Sequence, residues 1–362
     1  MSLGGTEIRR AKLRFGLLTV AVSLLVFLIL LLTTLSNSLI SSLVGALEGL
    51  DTDGLVYAAA AQDTIAASRL APETEGAVAA VPGVASVSVI GTFTTRGEVA
   101  GTDEDIQVFG FRPGEPGQPT ALSDGSLPAS GSEAAVDGVA AVGDTVVIGG
   151  RELKVVGTLR GARFNALPTV YVTWGAYDEA LRAANPGLPF VPVNAVAFTV
   201  DDPEDVTSVA MAIEGAVSGT RAYTLNEAVG SIPGIDSITQ SFGILVGLTF
   251  IIGIVVIGFF FLILTVQKMR TFTLLRAIGS STGRLASTVA LQITVVVVLA
   301  SLIALALTVL AVRGIDTGIP ATVDPATVIG TIGAVLVFSL LAGLLSIRRI
   351  ARIDPASAVG SR

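Results

Sequence analysis

Apolar residues gather in four long runs, Phe15 to Leu39, Phe242 to Val266, Leu285 to Val312 and Ala326 to Ile347. Each is long enough to cross a ~30 Å hydrocarbon core as a helix. The first run stands apart from the other three, separated by a long polar stretch. The pattern predicts a membrane α-helical protein with four transmembrane helices (1+3) and an inserted α+β extracytoplasmic domain. In order, it divides into a cytoplasmic amphipathic helix (1–14), a first span (15–40), the outer domain (41–241) and a second span (242–266). A cytoplasmic segment (267–284), a third span (285–312), a short outer loop (313–325), a fourth span (326–347) and a cytoplasmic tail (348–362) follow.

The α+β assignment rests on strands and helices in mixed order. Alternation over Val84 to Thr94 and the run Ile106 to Phe111 predict strands, as do Thr169 to Trp174 and Ala195 to Val200. Within Gly143 to Gly157, two β-rich runs flank Gly149-Gly150, and paired glycines accept the positive φ of a two-residue primed turn. Gly175 to Ala184 and Glu204 to Val217 predict helices, and the Ala-rich stretch Leu55 to Leu70 suits a strand followed by a helix.

Charge orients the spans. Four basic residues precede the first, four lie between the second and third, and four follow the last, against only Glu7 and Asp354 in those segments. Ile40 to Ser241 holds nine basic and twenty-five acidic residues. The positive-inside rule therefore places both termini and the basic loop in the cytoplasm. The first run exceeds the ~7–15 apolar residues of a signal peptide, so it is expected to stay as an anchor. The spans carry no Asp, Glu, Lys or Arg between their ends, unlike proton- or field-driven transporters.

The chain contains no Cys and no His. Thiol and imidazole catalysis, Cys/His zinc sites and disulfides are thereby excluded. No G-x-x-x-x-G-K-[ST] phosphate loop occurs either. The chain is expected not to be an enzyme, to hold no cofactor of its own and to take energy from a separate ATPase that carries ATP and Mg²⁺.

The most specific run is Leu264 to Arg284, LTVQKMRTFTLLRAIGSSTGR. Lys268 and Arg270 meet the membrane interface, Leu274, Leu275 and Ile278 form an apolar stripe, and Gly279 ends the helix. A short cytoplasmic helix with such a stripe needs a partner protein. The tail RRIARIDPASAV supplies Asp354 as N-cap and Pro355 at the first helical position.

The 1+3 layout, the run LLRAIGSSTGRL and the tail RRIARIDPASAV resemble the MacB/FtsX-type permeases of ATP-binding cassette transporters. The resemblance implies a homodimeric permease working with two ATPase copies in the bacterial cytoplasmic membrane, with lipid as its other neighbour and no nucleic acid. It makes the cytoplasmic helix the coupling element, with Lys268, Met269, Arg270, Leu274, Leu275, Arg276, Ala277, Gly279 and Arg284 near the ATPase. Thr271 and Thr273 stand where the family often has an acidic residue. Gly243, Gly247, Gly253 and Gly258 permit close helix contact in the second span.

The outer segment lacks the sustained heptads of a long helical hairpin. The stretches KLRFGLLTVAVSLLVFLI and ALEGLDTDGLVYAAAAQDTIAASRL are similar to the smaller permeases that export haem from Gram-positive bacteria. That similarity implies haem as substrate; glycolipid export and activation of a cell-wall hydrolase are the alternatives. With no His, the iron would be met by Glu, Tyr or Met. Helical spacing puts Asn37, Ser41, Val44, Gly45 and Glu48 on one face beyond the first span. Asn37, Ser41, Glu48 and Tyr57 are therefore the expected substrate residues.

Overall fold

A computed structural model describes residues 12–137, 140–267, 282–314 and 324–351. The chain forms two compact units, one taking Asn37–Ile238 and the other the helical segments up to Ser36 and from Thr239 onward.

The helical unit is built from the first part of α1 (Lys12–Glu48), from α6 (Ile235–Gln267), from α7 (Thr282–Gly314) and from α8 (Pro325–Ala351). Among the described residues, three segments are long and apolar enough to cross a membrane: Phe15–Glu48, Ile235–Phe260 and Val289–Gly314; Pro325–Leu341 is a shorter apolar segment of α8. On α1, Phe15, Leu18, Val22, Val26 and Ile29 recur every three or four residues. That stripe packs with Ile257, with Val289, Ile293, Val296 and Ala300 of α7, and with Val328 and Val335 of α8. Leu17, Leu24 and Leu28 on the other side of α1 stay exposed, as lipid-facing positions do. Hydroxyls that water cannot satisfy turn back onto their own helices: Thr249 donates to Leu245 O, Thr308 to Ala304 O and Ser339 to Val335 O.

The other unit contains ten strands: β1 (Gly54–Ala58), β2 (Val84–Val99), β3 (Thr102–Phe111), β4 (Leu122–Gly125), β5 (Glu133–Asp137), β6 (Thr145–Ile148), β7 (Arg151–Leu159), β8 (Thr169–Thr173), β9 (Ala195–Val200) and β10 (Thr220–Thr224). Pairing runs β10-β1-β9-β2-β3-β8-β5-β7-β4, while β6 pairs with both β2 and β7. The strands β2, β3, β8, β5, β7 and β6 therefore close a six-membered ring, which removes its free edges. Val108, Val136, Val146, Val155, Val170 and Val172 are among the buried residues of its core.

β2 is long enough to serve two sheets. Its first half, Val84 to Ile90, pairs with β9, and Gly91 to Val99 pairs with β3. On the four strands β10, β1, β9 and β2, the helix α2 (Glu73–Ala79) contributes Val78, and α4 (Val206–Ala216) contributes Val209, Ala210 and Ile213, to a second core with Val56, Val196 and Phe198. The helix α3 (Trp174–Ala184) follows β8 directly and buries Ala176, Tyr177, Ala180 and Leu181.

Gly149 and Gly150 have φ of 59° and 81° between the paired ends Ile148 and Arg151, the primed hairpin expected there. The expected strand-then-helix over Leu55 to Leu70 is instead β1 followed by two 3-10 turns, Ala59–Ala61 and Ile65–Ala67. Gln62 and Asp63 between those turns have positive φ, which no α-helix tolerates.

Candidate functional site

The carboxyl end of α1 is fastened to a loop that follows β7. Asn165 and Ala166 have φ of 54° and 60°, and Leu167 N–H donates to Phe164 O at 3.0 Å, so Phe164 to Leu167 form a type I′ turn. The turn's own amides point outward to the helix. Asn165 N–H donates to Leu43 O at 3.1 Å and Ala166 N–H to Ser42 O at 2.8 Å, while Ala46 N–H donates to Arg163 O at 2.8 Å. These three backbone bonds require close approach, and Gly45 provides it. A Cβ at Gly45 would lie 2.1 Å from Gly161 O.

The loop is braced from behind. Arg163 and Asp137 form an ion pair at 3.3 Å, with side chains 7% and 1% exposed. Burial pushes the Asp137 carboxyl up, against the opposing pull of Arg163 and of the Ala162 and Gly161 amides. Tyr171 O–H donates to Ala162 O at 2.6 Å, and Thr169 Oγ1 accepts from Phe164 N–H at 3.0 Å. A buried pair of this kind is costly to break from one side, because the surviving charge is left without a partner.

Ala46, Leu47 and Leu50 then enter a core with Leu55, Phe109, Phe164 and Tyr171. The helix α5 (Leu225–Gly230) gives Ala228 to the same cluster, and Val229 and Ile232 pack against it. Thr224 and Glu227 close a reciprocal capping box at the start of α5. The chain thus enters and leaves this unit through one apolar cluster.

The expected substrate residues part company here. Asn37 and Glu48 are exposed and Ser41 is half-buried, whereas Val44 and Gly45, expected on the same face, are buried. Tyr57 lies apart from these residues. It lies on β1, 1% exposed, with its ring 5.6 Å from Tyr223, because alternation in a strand covered on both faces turns it into the core. Burial pushes its phenol far above the usual tyrosine range. It therefore presents no surface to a ligand. Of the coupling residues, Lys268, Met269, Arg270, Leu274, Leu275, Arg276, Ala277 and Gly279 lie outside the described residues. Arg284 falls in the first turn of α7. The amphipathic helix (1–14), the outer loop (313–325) and the tail (348–362) also lie largely outside the described residues.

Sequence reasoning placed Gly45 but missed its partners Gly161, Arg163, Asn165 and Ala166. The available signal was the small-residue run Ser41-Ser42-Leu43-Val44-Gly45-Ala46 at the end of an apolar helix.

Comparison with known proteins defines the class. Residues 15–216 match the MacB-like periplasmic core domain, and residues 243–355 match the FtsX-like permease C-terminal domain. The chain belongs to the MacB/FtsX-type ABC transporter permease family, whose ABC systems pair a permease with an ATPase. It is 25% identical over 293 residues to an uncharacterized ABC transporter permease of Mycobacterium tuberculosis strain H37Rv, covering 78% of this chain and 77% of that one. A Mycobacterium bovis permease of the same description is 24% identical over 294 residues, with equal coverage. Among solved structures, the extracellular domain of the noncanonic ABC-type transporter YknZ from Gram-positive bacteria aligns over 48% of this chain and 100% of its own, at 14% identity and a TM-score of 0.33. The periplasmic region of MacB from Actinobacillus actinomycetemcomitans aligns over 52% and 95%, at 9% identity and a TM-score of 0.36.

Proposed function

We propose that this chain is a four-span, homodimeric permease subunit that passes movement from two copies of a separate ATPase to its outer module and so expels an amphipathic molecule. The observation that carries this is the helix α1, one unbroken element from Lys12 to Glu48 that ends in three backbone hydrogen bonds to residues 163–166. A helix fastened by main-chain bonds transmits displacement rather than absorbing it in side-chain rotamers. On the cytoplasmic side, the apolar stripe Leu274, Leu275 and Ile278 is the surface proposed to seat on the ATPase, with Lys268, Arg270 and Arg276 around it. Haem is the proposed cargo, with Glu48 as its oxygen ligand; the exposed position of Glu48 and the burial of Tyr57 favour Glu48 of the two.

Leu275→Asp tests the coupling. A charge in an apolar contact costs several kcal/mol when buried without a partner. The variant should insert and fold but no longer co-purify with the ATPase. A stable complex between the ATPase and Leu275→Asp would refute the assignment of that helix.

A further inference from the structure

The outer unit also holds an open cleft of about 310 Å³, in the size range of small-ligand sites, where α2, α3 and the loop before β9 meet. Trp174, Asp178 and Arg182 come from one face of α3, spaced four residues apart. Arg182 Nε donates to Asp178 Oδ1 at 2.7 Å. Across the cleft Arg112, just after β3, forms a two-point ion pair with Glu75 of α2, its Nη2 donating to Glu75 Oε2 at 3.2 Å. Phe190, from the Pro/Gly-rich loop 185–192, is 52% exposed at the rim. Trp174 is held by stacking on Tyr177, ring centres 5.2 Å apart.

This lining is selective in a particular way. It offers two aromatic side chains and two arginines that each face a carboxylate of the lining, Arg112 having a second carboxylate, Glu115, at 3.4 Å, so no positive charge is left uncompensated. Each arginine's charge is offset by a neighbouring carboxylate, which weakens the pull of the site on an anion, and each carboxylate's pull on a cation is offset likewise. A hydroxyl suits such a lining without carrying charge, because it donates to a carboxylate and accepts from a guanidinium N–H at once. A pyranose ring adds an apolar C–H face suited to Trp174 and Phe190. We infer that the cleft is a binding site for a short neutral saccharide, as found on extracytoplasmic glycans. No step of the proposed coupling mechanism uses these residues, so the two stand or fall separately.

Trp174 is the only tryptophan in the chain, so intrinsic tryptophan fluorescence reports this cleft alone. The full chain in detergent or nanodiscs is titrated with neutral mono- to trisaccharides of glucose, N-acetylglucosamine, mannose and galactose, with glucuronate and a proline-rich peptide alongside. The expected result is a saturable fluorescence change with at least one neutral sugar. Phe190→Ala, on an exposed loop, and Arg182→Gln should each weaken it about tenfold while far-UV circular dichroism stays unchanged. A flat response to every neutral sugar overturns the inference, as does saturation by glucuronate or the peptide alone. An undiminished sugar response in both variants overturns it as well.

Discussion

Replacing Gly45 with alanine separates helix propensity from the fit at the loop, because the two effects have opposite signs. In an exposed helix the change stabilises by about 1 kcal/mol. Here the new methyl would stand 2.1 Å from Gly161 O and 3.0 Å from its carbonyl carbon. The helix and loop must therefore part by roughly 1 Å to restore van der Waals distance. Bonds of 2.8, 3.1 and 2.8 Å from Ala46, Asn165 and Ala166 then stretch beyond useful geometry. At about 1 kcal/mol each, with a further penalty for amides left dry, the loss outweighs the propensity gain by about 2–4 kcal/mol. For a unit of this size that is a fall of roughly 5–15 °C in unfolding temperature. Differential scanning fluorimetry on the purified full chain measures it, with Gly215→Ala as control. Gly215 is a helical glycine of α4 whose added Cβ meets nothing within 4 Å, so that variant should match or exceed the parent. A Gly45→Ala protein unfolding at or above the parental temperature would show that the close approach does not hold the joint together.

The remaining expectations concern the tyrosines and the cargo. All four tyrosines, Tyr57, Tyr171, Tyr177 and Tyr223, have phenols pushed above the usual range, chiefly by burial. The unfolded chain gives up these protons at lower pH than the folded one, so stability falls as pH rises above about 10. Phenolate absorbance at 295 nm from the three fully buried tyrosines, Tyr57, Tyr171 and Tyr177, should appear in one step coincident with loss of circular dichroism; gradual ionisation of all four near pH 10 in folded protein would contradict that burial. For the cargo, haem added to the full chain should give a Soret band that Glu48→Ala removes, and normal haem tolerance in cells lacking the chain would refute the haem proposal.

Much of the architecture was legible because lipid and pleat impose strong periodicities. The apolar runs marked the long helices, and β9 occupies the predicted Ala195 to Val200. The Gly149-Gly150 turn was legible because only glycine takes positive φ freely. The neighbouring hairpin of β2 and β3 escaped notice, since its turn uses Ala100 at φ 48° before Gly101, and alanine gives no such signal. Ring closure was invisible for another reason. It depends on β6 pairing with β2 far away in sequence, and on Gly91 lying opposite Gly110, where a Cβ on either would strike the Tyr177 ring. The joint at Gly45 was half legible. Helical spacing found the face, but the partner at 161–166 sits in a turn built from Asn165 and Ala166, where Asn suits positive φ but Ala stands in the position that glycine usually marks.

Because both connections of the Asn37–Ile238 unit run through a single apolar cluster, the unit has the anatomy of an insert between two helices. Such an insert can be exchanged for another without changing the register of the helices that flank it, provided the newcomer offers a turn whose amides can take the helix's carbonyls at the close approach that Gly45 allows. Diversity among permeases of this design would then accumulate outside the membrane, while the flanking helices stay constant.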